Sequence, residues 1–421
     1  MKPFYRWELL IFLWFAYFLN QADRQIYNVL LKNIQGDLEL SDIQSGWVVT
    51  AFMLTYGILV PLAGFLGDRI RRKSIVVGSI LFWSVATVLT GWTTGLVGLI
   101  LFRSLATGGG EAFYYPAANA LISQYHTRTR ATAMGIHQSS LYVGMIVSSV
   151  LSGWLAVHFG WRVAFGVFGT IGIGLALWMA WRLRNDWKDR EEEGGMVAEK
   201  EASPGIFYTL WEIFTRPSIL ALWLGFAAFN FVGLAFYTWM PTFLQDEFGL
   251  NPIHAGFHAT FSHLVAAVFG VLLGGWLSDR WAGRRQAIRM ELEGVSLLLC
   301  APCVYLLATA PSLGGCIAGM ALFGWMRGIY DSNLFAALFD FIPPQIRASA
   351  SGLMLSVAMI VSAFGPLLLA MLKQQTDFVT AMASLSWVAL AGGGIILLGR
   401  FFFFQRDYVQ ESGALLKTQN E

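Results

Sequence analysis

The chain has 421 residues, 56% of them apolar and only 13% charged, and its mean hydropathy is +0.57. Soluble domains average nearer 25% charge, so this composition excludes an ordinary globular protein and reads as an integral membrane protein. The 28 basic and 26 acidic residues leave a formal charge of +2, which offers no basic excess for nucleic acid and no acidic tail.

Stretches of about 20 mostly apolar residues between charged or turn-rich breaks mark membrane helices. Twelve emerge in chain order, over 8–31, 44–67, 74–94, 96–123, 131–157, 162–182, 217–241, 253–278, 287–308, 312–338, 348–372 and 378–404. The first is too long for a signal peptide, carries Asp23 and Arg24 and lacks a small-residue cleavage pattern, so it is expected to be retained. With both termini cytoplasmic, 22 Lys and Arg fall inside and three, Lys32, Arg162 and Lys373, fall outside. That asymmetry sets the orientation. The hydrophilic stretch 183–216 divides six helices from six. The expectation is an all-α membrane protein of twelve transmembrane helices in two pseudo-symmetric bundles, over 1–182 and 217–404, with a cytoplasmic linker between them and a cytoplasmic tail over 405–421.

Cys300, Cys303 and Cys316 are too few for a disulfide framework or a four-ligand zinc site, and the CxxC pair sits in apolar sequence as two small hydrophobes. No metal or other cofactor is expected.

The halves repeat. Gly64-Phe-Leu-Gly67-Asp68-Arg69-Ile-Arg71-Arg72-Lys73 follows helix 2, and Gly275-Trp-Leu-Ser-Asp279-Arg280-Trp-Ala-Gly283-Arg284-Arg285 follows helix 8, displaced by 211 residues. Arg130-Ala-Thr-Ala-Met-Gly135 is echoed by Arg347-Ala-Ser-Ala-Ser-Gly352, displaced by 217. Related six-helix halves suit a transporter that rocks one bundle against the other around a central site. The repeated loop across a 6+6 chain resembles the major facilitator superfamily. Within it, "LNQADRQIYNVLL", "RSLATGGGEAFYYPAANALIS" and "YTWMPTFLQDEFGL" are similar to the anion:cation symporter family, with the Spinster family of lipid transporters next.

Asp23, Arg24, Arg103, Glu111, Arg327 and Asp331 lie inside predicted helices, where each would cost roughly 2.5–3.5 kcal/mol if it faced lipid near the bilayer centre. They are expected to pair or to line a hydrated cavity. Asn20, Arg24 and Asn28 form an i, i+4, i+8 stripe with Asp23 and Tyr27 beside it, so one face of helix 1 is polar. Asp23 and Arg103 both fall in the outer halves of their helices and can meet. The resemblance implies roles: Arg24 contacts the substrate's anionic group, Glu111 takes up the driving proton, and Asp23 with Arg103 forms a coupling pair.

One spacing departs from the family pattern. Arg103 and Glu111 are eight apart rather than seven, which predicts irregular helical hydrogen bonding around Gly108, Gly109 and Gly110, while close helix packing explains these glycines equally well. Arg327 and Asp331, at i, i+4, read as a self-neutralised pair. His137, His258 and His263 read as hydrogen-bonded core histidines, with titration near neutrality as the alternative. Tyr114, Tyr115, His137, Asn230 and Tyr237 are candidate substrate contacts, with Trp239 as a further cavity wall. The repeated loop reads as a gate, built from Gly64, Asp68, Arg69, Arg72, Asp279 and Arg280, its basic residues facing carboxylates or anionic lipid.

The leading expectation is a proton-coupled symporter of a small organic anion such as a sugar acid. The alternatives are a Spinster-like exporter of lipid or another amphiphile, and a transport-inactive sensor on the same fold. No Walker A loop, HExxH or GxSxG occurs, so neither an ATP-driven pump nor an enzyme is expected. The expected partners are the anion, protons and the lipid bilayer, with a monomer as the unit. The absence of any N-x-[ST] sequon favours a bacterial inner membrane.

Overall fold

A computed structural model of the chain describes residues 3–67, 71–126, 130–183, 206–342 and 346–408. The described residues are helical almost throughout: α1 (Pro3–Leu38), α2 (Asp42–Gly67), α3 (Arg72–Thr90), α4 (Thr107–Tyr125), α5 (Arg130–Phe159), α6 (Trp161–Arg182), α7 (Ile206–Phe214), α8 (Pro217–Phe248), α9 (Pro252–Ala282), α10 (Ile288–Thr309), α11 (Leu313–Phe339), α12 (Arg347–Ser362), α13 (Gly365–Gln375) and α14 (Phe378–Phe402). Helix starts follow local chemistry. Pro217 and Pro252 open α8 and α9, where a missing N–H costs nothing. Ser312 caps α11 by accepting from the Gly315 amide, and Asp377 caps α14 by accepting from the Thr380 amide at 2.8 Å. Gly160, at φ +88°, turns the chain between α5 and α6 in a conformation that side chains resist.

Among the described residues, ten helical stretches are long and apolar enough to cross a membrane. The two expected spans outside that set, 8–31 and 312–338, are helical as well, and they carry Asp23 with Arg24 and Arg327 with Asp331. Three further differences from the sequence reading have local causes. The expected single helix over 348–372 is interrupted at Ala363 and Phe364, just before Pro366. Helix 4 opens with one turn, Leu96–Gly98, and a π-helical stretch, Leu99–Ala106, before α4. Within 183–216, where a hydrophilic linker was expected, α7 forms from the apolar run "IFYTLWEIF", burying Ile213 and exposing Trp211 and Phe214. Residues 184–205 and 409–421 of the expected linker and tail lie outside the described residues.

Two compact units divide the chain. Unit 1 holds the first six helices together with Tyr237–Thr260 and Pro366–Met371. Its core is built on Leu13, Tyr17, Ile80, Trp83, Tyr114 and Leu121. Close backbone approach sets how α1 lies: a Cβ on Gly144 of α5 would stand 2.7 Å from the Phe18 carbonyl oxygen of α1. Gly144→Leu is therefore expected to cost about 1–3 kcal/mol and to displace α1. Thermal melting of purified protein checks this, and an unchanged midpoint would show that α1 is not seated there. Beyond the expected span, Asp37 accepts hydrogen bonds from Arg162 and, at 3.2 Å, from Trp161, and the Arg162 bond holds its carboxyl below the usual carboxylate range. Also within unit 1, Lys32 pairs with Asp246, and Trp239 donates its indole N–H to the Pro366 carbonyl at 2.9 Å.

Unit 2 holds the remainder. There α10 packs on α11 and α14, and Glu291 receives Arg400 at 2.5 Å and Arg285 at 2.9 Å, while Arg289 meets Asp340 at 2.5 Å.

Candidate functional site

Four ionisable groups from α1, the π-helical stretch and α4 gather inside unit 1. The Arg24 Nε donates to Glu111 Oε2 at 2.7 Å. Glu111 is fully buried, whereas the Arg24 side chain keeps 20% of its surface exposed, so the cation is the accessible member of the pair. The Arg24 guanidinium lies 4.4 Å from the Tyr56 ring centroid and 5.4 Å from that of Phe52. The Arg103 guanidinium lies 4.5 Å from the Phe52 centroid and 5.7 Å from that of Tyr27. Aromatic faces partly compensate cations removed from water.

Asp23 and Arg103 lie in each other's electrostatic field but make no direct ion pair among the described residues. Asp23 Oδ2 instead accepts from the Thr87 hydroxyl of α3 at 3.0 Å, and Arg103 donates to the Arg24 backbone carbonyl at 3.4 Å. Shared depth brings the two groups into one cluster, but α1 turns Asp23 toward α3 and turns Arg24 toward α4. Asp23 Oδ1, Glu111 Oε1 and two Arg103 nitrogens are buried with no hydrogen-bond partner among the described residues. Such a cluster is electrically balanced yet short of partners, which suits a site that takes up a charged ligand.

The extra residue between Arg103 and Glu111 is absorbed one turn earlier than expected. It lies in the π-helical stretch Leu99–Ala106, which contains Arg103. The glycines serve packing instead: a Cβ on Gly108 would stand 3.0 Å from the Phe52 carbonyl oxygen, and one on Gly110 would stand 2.9 Å from the Phe82 ring.

A layer of hydroxyls and an imidazole lies next to the charges. Tyr114 donates to the Leu13 carbonyl at 2.7 Å and lies 3.2 Å from His137 Nε2. Tyr115 donates to Gln138 at 3.4 Å. Tyr17 stacks on His137 with centroids 4.8 Å apart. Asn20 is buried and accepts from Gln21, Asn28 donates weakly to Gln25 at 3.5 Å, and Tyr27 donates to the Ser45 carbonyl. Tyr237 also falls in unit 1. Asn230 falls in unit 2 and donates to the Phe226 carbonyl of its own helix. His258 lies in unit 1 beside Phe257, and His263 is buried in unit 2 with its ring 5.1 Å from that of Phe236. Arg327 and Asp331 form the expected i, i+4 pair, at 3.6 Å.

Of the gate residues, Asp68 and Arg69 lie outside the described residues. Gly64 is in α2; Arg72 donates to the Ala120 carbonyl at 3.3 Å and to Gln124 at 3.1 Å. Asp279 and Arg280 are exposed at the end of α9, the latter 5.4 Å from the Trp276 ring.

Sequence reasoning passed over Tyr17, Phe52, Tyr56, Thr87 and Gln138. Tyr17 was within reach, because it continues the Asn20–Arg24 face one turn toward the N-terminus. The others belong to neighbouring helices, and no spacing within one helix identifies them.

The sequence pattern of the Major Facilitator Superfamily matches residues 13–366. The chain belongs to this superfamily. Its relatives include the D-galactonate transporter of Escherichia coli O6:H1, 27% identical over 419 residues and covering 94% of this chain and 96% of the relative. The probable galactarate/D-glucarate transporter GudP of Bacillus subtilis is 26% identical over 400 residues, covering 89% and 87%. Among solved structures, a bacterial homologue of the human lysosomal transporter Spinster, in an inward-facing and occupied conformation, superposes with a TM-score of 0.82 at 23% identity, covering 97% of this chain and 99% of that one. That likeness establishes the fold. This superfamily member is an integral, multi-pass membrane transporter and not an enzyme.

Proposed function

We propose that the chain is a proton-coupled symporter of small organic anions, with sugar acids as the substrate class. The observation that carries this reading is the Arg24–Glu111 pair at 2.7 Å, in which the carboxylate is buried and the guanidinium accessible. Asp23, Arg24, Arg103 and Glu111 sum to zero when all are ionised. An anion added alone would leave a buried net negative charge, and a proton added alone a net positive one; the two together keep the cluster neutral, which is the electrostatic basis of symport. A proton on Glu111 dissolves the ion pair and frees the Arg24 fork for a substrate carboxylate, which it can grip with two parallel hydrogen bonds. Tyr17, Tyr114, Tyr115, His137 and Gln138 offer hydroxyl, imidazole and amide groups suited to a polyol chain. The relatives' substrates, galactonate and galactarate or glucarate, are of this kind.

In this reading twelve helices cross a bacterial inner membrane in two six-helix halves, both termini are cytoplasmic, and a single chain is the working unit. Gly64, Asp68, Arg69, Arg72, Asp279 and Arg280 form cytoplasmic gates.

Uptake into proteoliposomes with an imposed pH gradient tests the assignment. Aldonates, uronates and aldarates are expected to accumulate when the outside is acidic and to stop when a protonophore collapses the gradient, while neutral sugars do not compete. Movement of lysolipids without uptake of any sugar acid would overturn it.

A further inference from the structure

Unit 2 contains a buried carboxyl that the Arg24–Glu111 mechanism does not use. Glu293, in the second turn of α10, is completely buried, and neither of its side-chain oxygens accepts a hydrogen bond among the described residues. Its electrostatic neighbours are Tyr330 and Asp331 of α11 and Asp340 just beyond its end. Asp340 pairs with Arg289 and Asp331 with Arg327, and among the described residues no cation pairs with Glu293. On its own helix Cys300 stands two turns further on, buried, and Glu291 is taken by Arg285 and Arg400, the latter from α14. The Tyr330 hydroxyl is buried too and has no hydrogen-bond partner among the described residues. An ionised carboxylate so enclosed would be uncompensated, so this packing accommodates the neutral acid.

Unit 1 does without a carboxyl at the comparable place near the start of α3. Arg72, at the start of α3, and Arg289, at the start of α10, both tie the start of one helix to the end of another: Arg72 reaches Gln124 of α4, and Arg289 reaches Asp340 next to α11. Val76 stands four residues after Arg72, as Glu293 stands four after Arg289, and it is fully buried in the core of unit 1. An aliphatic side chain fills this position in one half; an acid fills it in the other.

We propose that Glu293, with Tyr330 beside it, is a second proton-exchange site of the transporter, neutral in the conformation described here and releasing its proton when unit 2 changes its packing during the cycle. This rests on the symport reading and adds one proton to it. The test is simultaneous measurement of proton and anion flux in proteoliposomes for the wild type, Glu293→Gln and Glu293→Val, the last borrowing the side chain of the comparable place in unit 1. The expected result is that both variants move one proton fewer per anion, and that anion exchange without a gradient stays within about twofold of wild type. An unchanged proton-to-anion ratio in either folded variant would overturn the proposal while leaving symport intact. Anion uptake by the wild type with no accompanying proton would instead overturn the symport reading, and this site with it. Infrared spectra supply an independent readout: wild-type protein should show a carbonyl band of a buried neutral carboxyl that Glu293→Gln lacks, and identical spectra would count against the neutral acid.

Discussion

Arg24→Ala is expected to abolish transport of organic anions and to lower their affinity by more than a hundredfold. Two charge-assisted hydrogen bonds to a carboxylate are worth roughly 3–6 kcal/mol, and alanine removes both. The same substitution strands Glu111, which is fully buried and would lose its ion-pair partner. Breaking a buried pair in this way costs about 3–5 kcal/mol, so loss of folding could imitate loss of binding. The double variant Arg24→Ala/Glu111→Gln separates the two effects. Removing the orphaned charge should restore the melting temperature, whereas anion binding should stay absent because the fork is still missing. Arg24→Lys should fold but bind poorly, since an ammonium keeps the charge and not the planar fork. Binding of a sugar acid by the double variant at wild-type affinity, measured calorimetrically, would remove Arg24 from the site.

The polar face of α1 was legible because one helix carries it: Asn20, Asp23, Arg24 and Tyr27 recur at helical spacing, and charge in an apolar span has few tolerable explanations. The choice of partner was not legible. Depth along α1 and helix 4 brought Asp23 level with Arg103, yet depth says nothing about rotation. Rotation is decided by the π-helical stretch Leu99–Ala106 and by α3, which supplies the Thr87 hydroxyl to Asp23. The eight-residue spacing predicted an irregularity, and its position one turn before the glycines reflects packing, since Gly108 and Gly110 are committed to close contact with α2 and α3. Glu293 was passed over for a related reason. Six residues from the predicted start of its span, it reads as a carboxylate reaching for the membrane surface, and only the packing of α10 on α11 reveals its enclosure.

The second large effect concerns coupling, and it turns on which carboxyl competes with the substrate for Arg24. If Glu111 does, wild-type anion affinity in exchange should rise as pH falls, by at most tenfold per unit for one linked proton. Glu111→Gln holds the side chain in its neutral form, so Arg24 is permanently released. Affinity should then be flat across pH, exchange of internal for external substrate should persist, and the share of pH-gradient-driven accumulation that Glu111 carries should vanish. Asp23→Asn should behave differently, because the asparagine amide can keep the Thr87 hydrogen bond while the Arg24–Glu111 pair remains. Its affinity should therefore keep the pH slope that Glu111→Gln loses. That contrast rests on geometry, since Glu111 and not Asp23 touches the Arg24 guanidinium. Measured in the same proteoliposomes, a wild-type slope and full gradient-driven accumulation in Glu111→Gln would move the coupling role to Asp23, whose second oxygen is buried without a partner among the described residues and is the next carboxyl in the cluster able to exchange a proton.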